Sequence, residues 1–287
     1  VLAGVFVFAL AAGARPATLR AAFMAAVFFS SPVLPSERLP LASVHDACRL
    51  IADRLGSVSL ADCDEAGMRA ADTATIQGLP ILYRDYLPQL GNARDPVRVL
   101  LIGGIHGDEL SSVSVVFRFM EQLRNDRFQN LHWRVAPLLN PDGLLMRPAQ
   151  RMNARGVDLN RNFPSPDWKR AALPYWERRT GSDPRRYPGP DALSEPESRW
   201  LAQQIEQFEP DVVVSMHAPL GLLDFDGVAP PPERLGFLRL RRLGTYPGSL
   251  GNWAGEYLRI PVFTPELPHA GIMPTGRHFR GAQVALH

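Results

Sequence analysis

The chain has 287 residues, 46% of them hydrophobic, so it is long enough to bury a full core and fits one large domain better than two small ones. Its 31 basic and 29 acidic residues leave a formal net charge of +2. This balance lacks the positive excess of nucleic-acid-binding proteins, and we predict no nucleic-acid partner.

The N-terminal segment is apolar. Residues 1–13 carry no polar side chain, are too few to span a bilayer, and end in small residues typical of a signal-peptide cleavage site. We therefore predict three parts: a possible export signal at 1–30, a pre-domain extension at 31–72 and a catalytic domain at 73–287. If residues 1–30 direct export, the protein is periplasmic; the alternative is cytoplasmic. In neither case do we expect a stable membrane anchor in the mature protein.

Two cysteines, Cys48 and Cys63, lie in the predicted extension, and Cys48 falls within a helix predicted at residues 44–55. They would pair in an oxidising compartment and stay reduced in the cytosol. The sequence leaves both states open.

The first part of the domain predicts a hairpin followed by a buried strand. Residues 73–76 and 81–86 flank a Gly-Leu-Pro turn, which is typical of antiparallel strands. Residues 97–103 form a continuous apolar run, the pattern of a strand buried on both faces. Apolar residues at helical spacing follow in residues 109–124, and residues 133–139 predict the next strand.

The second half predicts further alternation of strands and helices. Residues 164–196 hold seven prolines and predict a long loop that shapes a substrate cleft. A capping box at residues 194–197 predicts the start of a helix that runs to Phe208. The remaining elements are strands at 211–216, 222–225 and 260–264 and a helix at 249–258. This order favours a largely parallel sheet with helices on both faces.

Four side chains suited to metal chemistry fall just beyond the carboxyl ends of predicted strands: His106, Glu109, His217 and Glu266. Ligands of such sheets gather at this edge. Two imidazoles and one carboxylate leave tetrahedral zinc an open position, as in catalytic rather than structural sites. Glu266 follows an apolar strand, where a raised pKa suits a general base. A core histidine and a salt-bridged surface glutamate are the plainer alternatives for His217 and Glu266.

A second cluster of polar residues spans 151–163. The neighbouring Asn160 and Arg161 are suited to bidentate capture of a carboxylate. A further arginine near the metal can stabilise an oxyanion. For Arg155 the choice lies between substrate binding and a solvated loop.

Taken in order, these motifs resemble the zinc metallocarboxypeptidase family. They are His-Gly-Asp-Glu at 106–109, Asn-Pro-Asp-Gly at 140–143, Gly-Val-Asp-Leu-Asn-Arg-Asn-Phe at 156–163, Ser-Met-His at 215–217 and Glu266. The similarity covers residues 79–268. Within the family, residues 246–253 and 264–269 are most similar to the bacterial murein peptide amidases.

The resemblance implies a three-layer α/β/α sandwich around a mixed, largely parallel sheet of about eight strands. It implies one zinc ion on His106, Glu109 and His217, with Glu266 assisting the attack of water. Asn160 and Arg161 would hold the free carboxylate on the leaving side, and Tyr246 would close over the substrate. We assign the oxyanion contact to Arg151 rather than Arg155.

Murein peptide amidases cleave the bond between γ-D-glutamate and meso-diaminopimelate, so a murein peptide is the expected substrate. Three alternatives stay open: a broader carboxypeptidase for α-linked peptides, a deacylase of the succinylglutamate desuccinylase or aspartoacylase type, and a non-catalytic wall-peptide binding module. The presence of every ligand and of Glu266 argues against the last. The specificity residue and the oligomeric state are not predicted.

Overall fold

A mixed sheet forms the centre of the protein in the computed structural model, which describes residues 43–88, 96–125 and 130–274. Within this part of the chain, seven strands join in the order β1-β2-β4-β3-β5-β9-β6, and β7 and β8 form a separate ribbon. The strands are β1 (Arg69–Ala74), β2 (Pro80–Tyr86), β3 (Arg98–Ile102), β4 (His132–Leu138), β5 (Val212–Ser215), β6 (Leu223–Asp226), β7 (Arg234–Leu235), β8 (Leu238–Arg239) and β9 (Val262–Pro265).

The centre of the sheet is parallel and both of its edges are antiparallel. Strand β3 pairs in parallel with β4 and β5, and β5 pairs in parallel with β9. The β1-β2 hairpin continues antiparallel onto β4, and β6 runs antiparallel to β9. The continuous apolar runs of β3 and β5 explain this arrangement, because a central parallel strand is covered on both faces. The prediction of a mixed, largely parallel sheet is confirmed, with seven strands in the described residues where about eight were expected.

Helices cover the two faces of the sheet and complete a three-layer sandwich. One buried cluster includes Val113 and Met120, and the cluster on the other face includes Trp200 and Trp253. The helices are α1 (Val44–Arg54), α2 (Leu60–Glu65), α3 (Leu110–Arg124), α4 (Pro141–Leu145), α5 (Trp168–Thr180), α6 (Pro196–Phe208) and a π-helix (Gly251–Tyr257). None of the helices in the described ranges combines the length and apolar character needed to cross a membrane.

The segment before β1 packs on the sheet. Helix α1 confirms the helix predicted at 44–55, and its residue Ile51 belongs to a central cluster. Cys48 and Cys63 form a disulfide that ties α1 to α2, which settles the pairing that the sequence left open. Strand β1 begins at Arg69, four residues before the predicted hairpin strand. The N-terminal signal prediction lies outside the described residues, and the division of the chain into three parts stays a prediction.

Two predictions about the segment 164–196 need correction. It contains α5, a helix of 13 residues with Pro174 inside it, in place of a continuous loop. The helix was missed because it buries little apolar surface and contains a residue that normally breaks helices. The predicted capping box does not form either, since Glu195 is the N-cap of α6 and the Ser194 hydroxyl donates to its carboxylate at 2.8 Å.

Candidate metal centre and active site

The strand ends bring the four predicted metal-site residues to one edge of the sheet. His106 and Glu109 follow β3, His217 follows β5 and Glu266 follows β9. His217 and Glu266 are paired in a parallel bridge, in which the His217 amide donates to the Pro265 carbonyl at 3.0 Å. The parallel register of β5 and β9 therefore sets the candidate ligand beside the candidate base.

Backbone packing fixes the loop that carries His106. A Cβ on Gly107 would overlap the backbone of Gly143 and Leu144, so only glycine permits this approach. The Asn140 side chain accepts from the Gly143 amide at 2.9 Å and donates to the Arg151 carbonyl at 3.1 Å. The Asn-Pro-Asp-Gly segment therefore positions both the metal-site loop and Arg151.

The side chains of His106, Glu109 and His217 form a buried group whose ligand atoms lie within 4.8 Å of one another. Glu109 lies between the two imidazoles, with one carboxylate oxygen 2.8 Å from His106 Nδ1 and the other 3.1 Å from His217 Nδ1. Burial opposes ionisation of Glu109, but the two histidines outweigh it and keep the pKa of this carboxyl below its usual range. Two imidazoles with one ionised carboxylate are a donor set that fits zinc.

Asp158 connects the metal centre to Arg151. Its fully buried carboxylate lies 3.1 Å from His106 Nε2 and 2.9 Å from Arg151 Nη2. Burial would raise the pKa of Asp158, but the charge of Arg151 outweighs it and holds the pKa well below its usual value. A carboxylate on Nε2 orients the imidazole and would leave Nδ1 as the nitrogen that binds zinc. Sequence reasoning missed this role, although Asp158 stands in the same motif as Asn160 and Arg161.

A cavity of about 310 Å³ opens onto these residues. Eight of the nine predicted site residues line it: His106, Glu109, Arg151, Asn160, Arg161, His217, Tyr246 and Glu266. The ninth, Arg155, is more than half exposed, lies 4.0 Å from Glu195 and is not part of the cavity wall. This placement does not support the predicted contact between Arg155 and substrate.

Asn160 and Arg161 form an anion-binding pair on one wall of the cavity. The Asn160 Oδ1 accepts from the Leu250 amide at 2.8 Å, which orients the amide group and leaves Nδ2 as a donor. The buried Arg161 guanidinium donates to the Asn160 carbonyl at 2.6 Å and lies 4.4 Å from the ring centre of Tyr246. Burial lowers the pKa of Arg161 because it removes water from the guanidinium. An anionic ligand that binds this poorly solvated cation would therefore form a strong charge-assisted hydrogen bond.

Glu266 lines the same cavity next to His217 and is 7% exposed. Burial raises the pKa of its carboxyl, the positive charge of His217 opposes this, and Glu109 adds to it. One carboxylate oxygen accepts a long hydrogen bond of 3.5 Å from the Leu220 amide. A buried carboxylate with a raised pKa that borders the cavity is suited to accept and return a proton.

The proline-rich segment and β6 supply charged residues of the cavity wall. Asp183, Arg185 and Arg186 line it, as expected of the segment 164–196. Arg185 also pairs with Asp108 at 2.7 Å, which links this segment to the metal-site loop. Sequence reasoning missed two further wall residues, Asp224 and Asp226 of β6.

Together, the mixed sheet, the His-Glu-His group, the buried base and the Asn-Arg pair define a zinc hydrolase of the carboxypeptidase type. The chain belongs to the zinc carboxypeptidase family, whose model matches residues 73–223. It is therefore a metallopeptidase, and zinc is its metal.

Two curated relatives are murein peptide amidases A. The protein of Escherichia coli strain K12 is 34% identical over 176 residues, covering 59% of this chain and 70% of that protein. The protein of Vibrio campbellii is 31% identical over 201 residues, covering 68% and 77%. The crystal structure of the murein-tripeptide amidase of Escherichia coli O157 aligns with a TM-score of 0.50 and 28% identity, covering 74% of this chain and 88% of that chain.

Proposed function

We propose that this protein is a zinc-dependent murein peptide amidase that hydrolyses the amide between γ-D-glutamate and meso-diaminopimelate. The observation that carries the proposal is that Asn160 and Arg161 line the same cavity as the metal centre. The leaving diaminopimelate keeps a free carboxylate next to the scissile amide, which this pair can bind. The two relatives named murein peptide amidase A support the same substrate.

The proposed reaction assigns separate roles to the metal ligands, to Glu266 and to Arg151. His106, Glu109 and His217 would hold the zinc ion, which would supply the Lewis acidity that activates water and polarises the scissile carbonyl. The Glu266 carboxylate takes a proton from the attacking water and delivers it to the nitrogen of the leaving amine.

We assign to Arg151 the stabilisation of the charge that develops on the carbonyl oxygen. Its Nε and Nη2 bind Asp158 at 3.0 and 2.9 Å, while Nη1 points to the metal centre, 3.2 Å from His106 Nδ1. The Asp158 contact therefore fixes the orientation of the guanidinium. Tyr246 stacks against Arg161, where it can cover a bound carboxylate.

We further propose that the protein acts in the periplasm. Support comes from the apolar segment at 1–30 and from the disulfide between Cys48 and Cys63, since stable disulfides are favoured outside the cytosol. Extraction under thiol-blocking conditions from separated periplasm and cytosol tests this. A reduced pair in the cytosolic fraction would contradict it.

Three substrates separate the proposed activity from its rivals. They are L-Ala-γ-D-Glu-meso-diaminopimelate, the corresponding α-linked peptide and N-succinylglutamate, each assayed with zinc and with chelator. We expect kcat/KM to be highest for the γ-linked tripeptide. A higher value for the α-linked peptide would indicate a general carboxypeptidase, and a higher value for N-succinylglutamate would indicate a deacylase.

A further inference from the structure

The substrate cavity is lined by four arginines, which differ in how far the protein already engages them. They are Arg151, Arg161, Arg185 and Arg186. Arg151 and Arg185 each pair with an aspartate, at 2.9 and 2.7 Å. Arg161 is assigned above to the carboxylate of the leaving residue. Arg186 is therefore the cavity cation to which the proposed reaction gives no partner.

The Arg186 guanidinium has hydrogen-bond donors to spare. Asp183 is its acidic neighbour: the carboxylate lies 3.5 Å from Nε and already accepts from the Arg185 amide at 2.9 Å. In the described part of the chain, no acceptor hydrogen-bonds either of the terminal nitrogens, Nη1 and Nη2. Two parallel donors on one planar group can bind a carboxylate through both of its oxygens.

Two contacts hold the segment that carries Arg186 against the metal centre. Arg186 ends a short 3₁₀ helix, in which the preceding residue, Arg185, pairs with Asp108 of the metal-site loop. The following residue, Tyr187, accepts through its carbonyl from the Asp158 amide at 2.8 Å. The backbone on both sides of Arg186 is therefore fixed relative to the catalytic residues, and its side chain lines the cavity from a defined position.

The cavity thus offers cations from two differently anchored segments. Asn160, the neighbour of Arg161, is fixed by the Leu250 amide at the start of the π-helix, whereas the segment of Arg186 is fixed by the metal-site loop. Burial lowers the pKa of Arg161, and the positive charge of Arg186 adds to this effect. A ligand with two anionic groups would neutralise both cations and relieve the repulsion between them.

We propose that Arg186 binds the free α-carboxylate of the γ-linked D-glutamate, on the acyl side of the scissile amide. The inference rests on the proposed function and deepens it by defining how the acyl residue is recognised. A γ-linked glutamate keeps its α-carboxylate at the end of the short side chain that carries the scissile carbonyl. With the leaving carboxylate on Asn160 and Arg161, the substrate passes the metal ligands and its acyl residue reaches Arg186.

The test removes the charge of this carboxylate and keeps the linkage. The substrates are L-Ala-γ-D-Glu-meso-diaminopimelate and the same peptide with the α-carboxylate of glutamate converted to an amide. For zinc-loaded wild type, we expect kcat/KM to be about five- to twentyfold higher for the acid, as for a charge-assisted contact with a half-exposed cation. In Arg186→Gln, the two values should agree within about twofold, through a loss on the acid alone. Arg178→Gln is the matched control, because it removes an exposed arginine of α5 that does not line the cavity, and it should keep the wild-type ratio.

An equal loss on both peptides, or an unchanged acid-to-amide ratio in Arg186→Gln, would overturn the inference, because Arg186 would then not contact this carboxylate. Calorimetry gives a second measurement that needs no turnover. Zinc-loaded wild type should bind L-Ala-D-Glu about five- to twentyfold more tightly than L-Ala-D-isoglutamine, Arg186→Gln should bind both about equally, and equal affinities in the wild type would count against Arg186. Failure of the murein assignment looks different, since the wild type would then hydrolyse neither peptide, and the calorimetric comparison would still test Arg186.

Discussion

Replacement of Asp158 by asparagine should weaken zinc binding and catalysis together. The wild-type carboxylate makes a contact of 3.1 Å with His106 and contacts of 3.0 and 2.9 Å with Arg151. Asparagine keeps one acceptor oxygen but presents an NH₂ group to one of these two partners. Loss of a carboxylate that orients a metal ligand typically lowers metal affinity about 10- to 100-fold, or about 1.4–2.7 kcal/mol.

The assay is a competition titration of zinc against a chelator, followed by kcat/KM at saturating zinc. We expect kcat/KM to stay about tenfold or more below wild type even when zinc is saturating, because Arg151 also loses its anchor. Asp108→Asn is a useful control, since the Asp108 carboxylate pairs with Arg185 at 2.7 Å. Wild-type zinc affinity in Asp158→Asn would refute the positioning role of Asp158.

Three further predictions concern stability and the choice of arginine. Burial raises the pKa of Glu197 to about 7, so the folded protein retains a proton that the unfolded chain releases, and stability falls as pH rises from about 4.5 to 7. Glu197→Gln should therefore gain up to about 3 kcal/mol at pH 8 and little below pH 4.5, measured by urea unfolding; an unchanged pH dependence would contradict this. The disulfide spans 15 residues, so the Cys48→Ala, Cys63→Ala double variant should lose about 3 kcal/mol, and a loss below about 1 kcal/mol would count against it. Arg151→Ala should lower kcat about 10²- to 10³-fold and Arg155→Ala less than about threefold; the reverse order would exchange their roles.

The sequence predicted the metal centre because its residues follow continuous buried strands. Apolar runs identified β3, β5 and β9, and a parallel arrangement places their carboxyl ends at one edge. The apolar runs and their order along the chain were sufficient to predict that His217 and Glu266 lie at the same edge of the sheet.

Other features depend on contacts between distant segments, which no local pattern records. The Asp226 carboxylate fits against the π-helix because Gly251 has no Cβ. Asp158 contacts His106 and Arg151, which lie in other segments of the chain. Helix α5 was missed for a different reason, because Pro174 and its sparse apolar face gave no helical pattern. Family resemblance supplied the overall architecture.

The most direct test of the proposed function is mass spectrometry of the products released from L-Ala-γ-D-Glu-meso-diaminopimelate. Zinc-loaded wild type and Glu266→Gln are compared in this assay. We predict that both bind about one zinc, that wild type releases diaminopimelate only without chelator, and that Glu266→Gln is slower by about 10²- to 10⁴-fold. Failure of the wild type to release diaminopimelate would contradict the proposed reaction, and full activity of Glu266→Gln would contradict the role of Glu266.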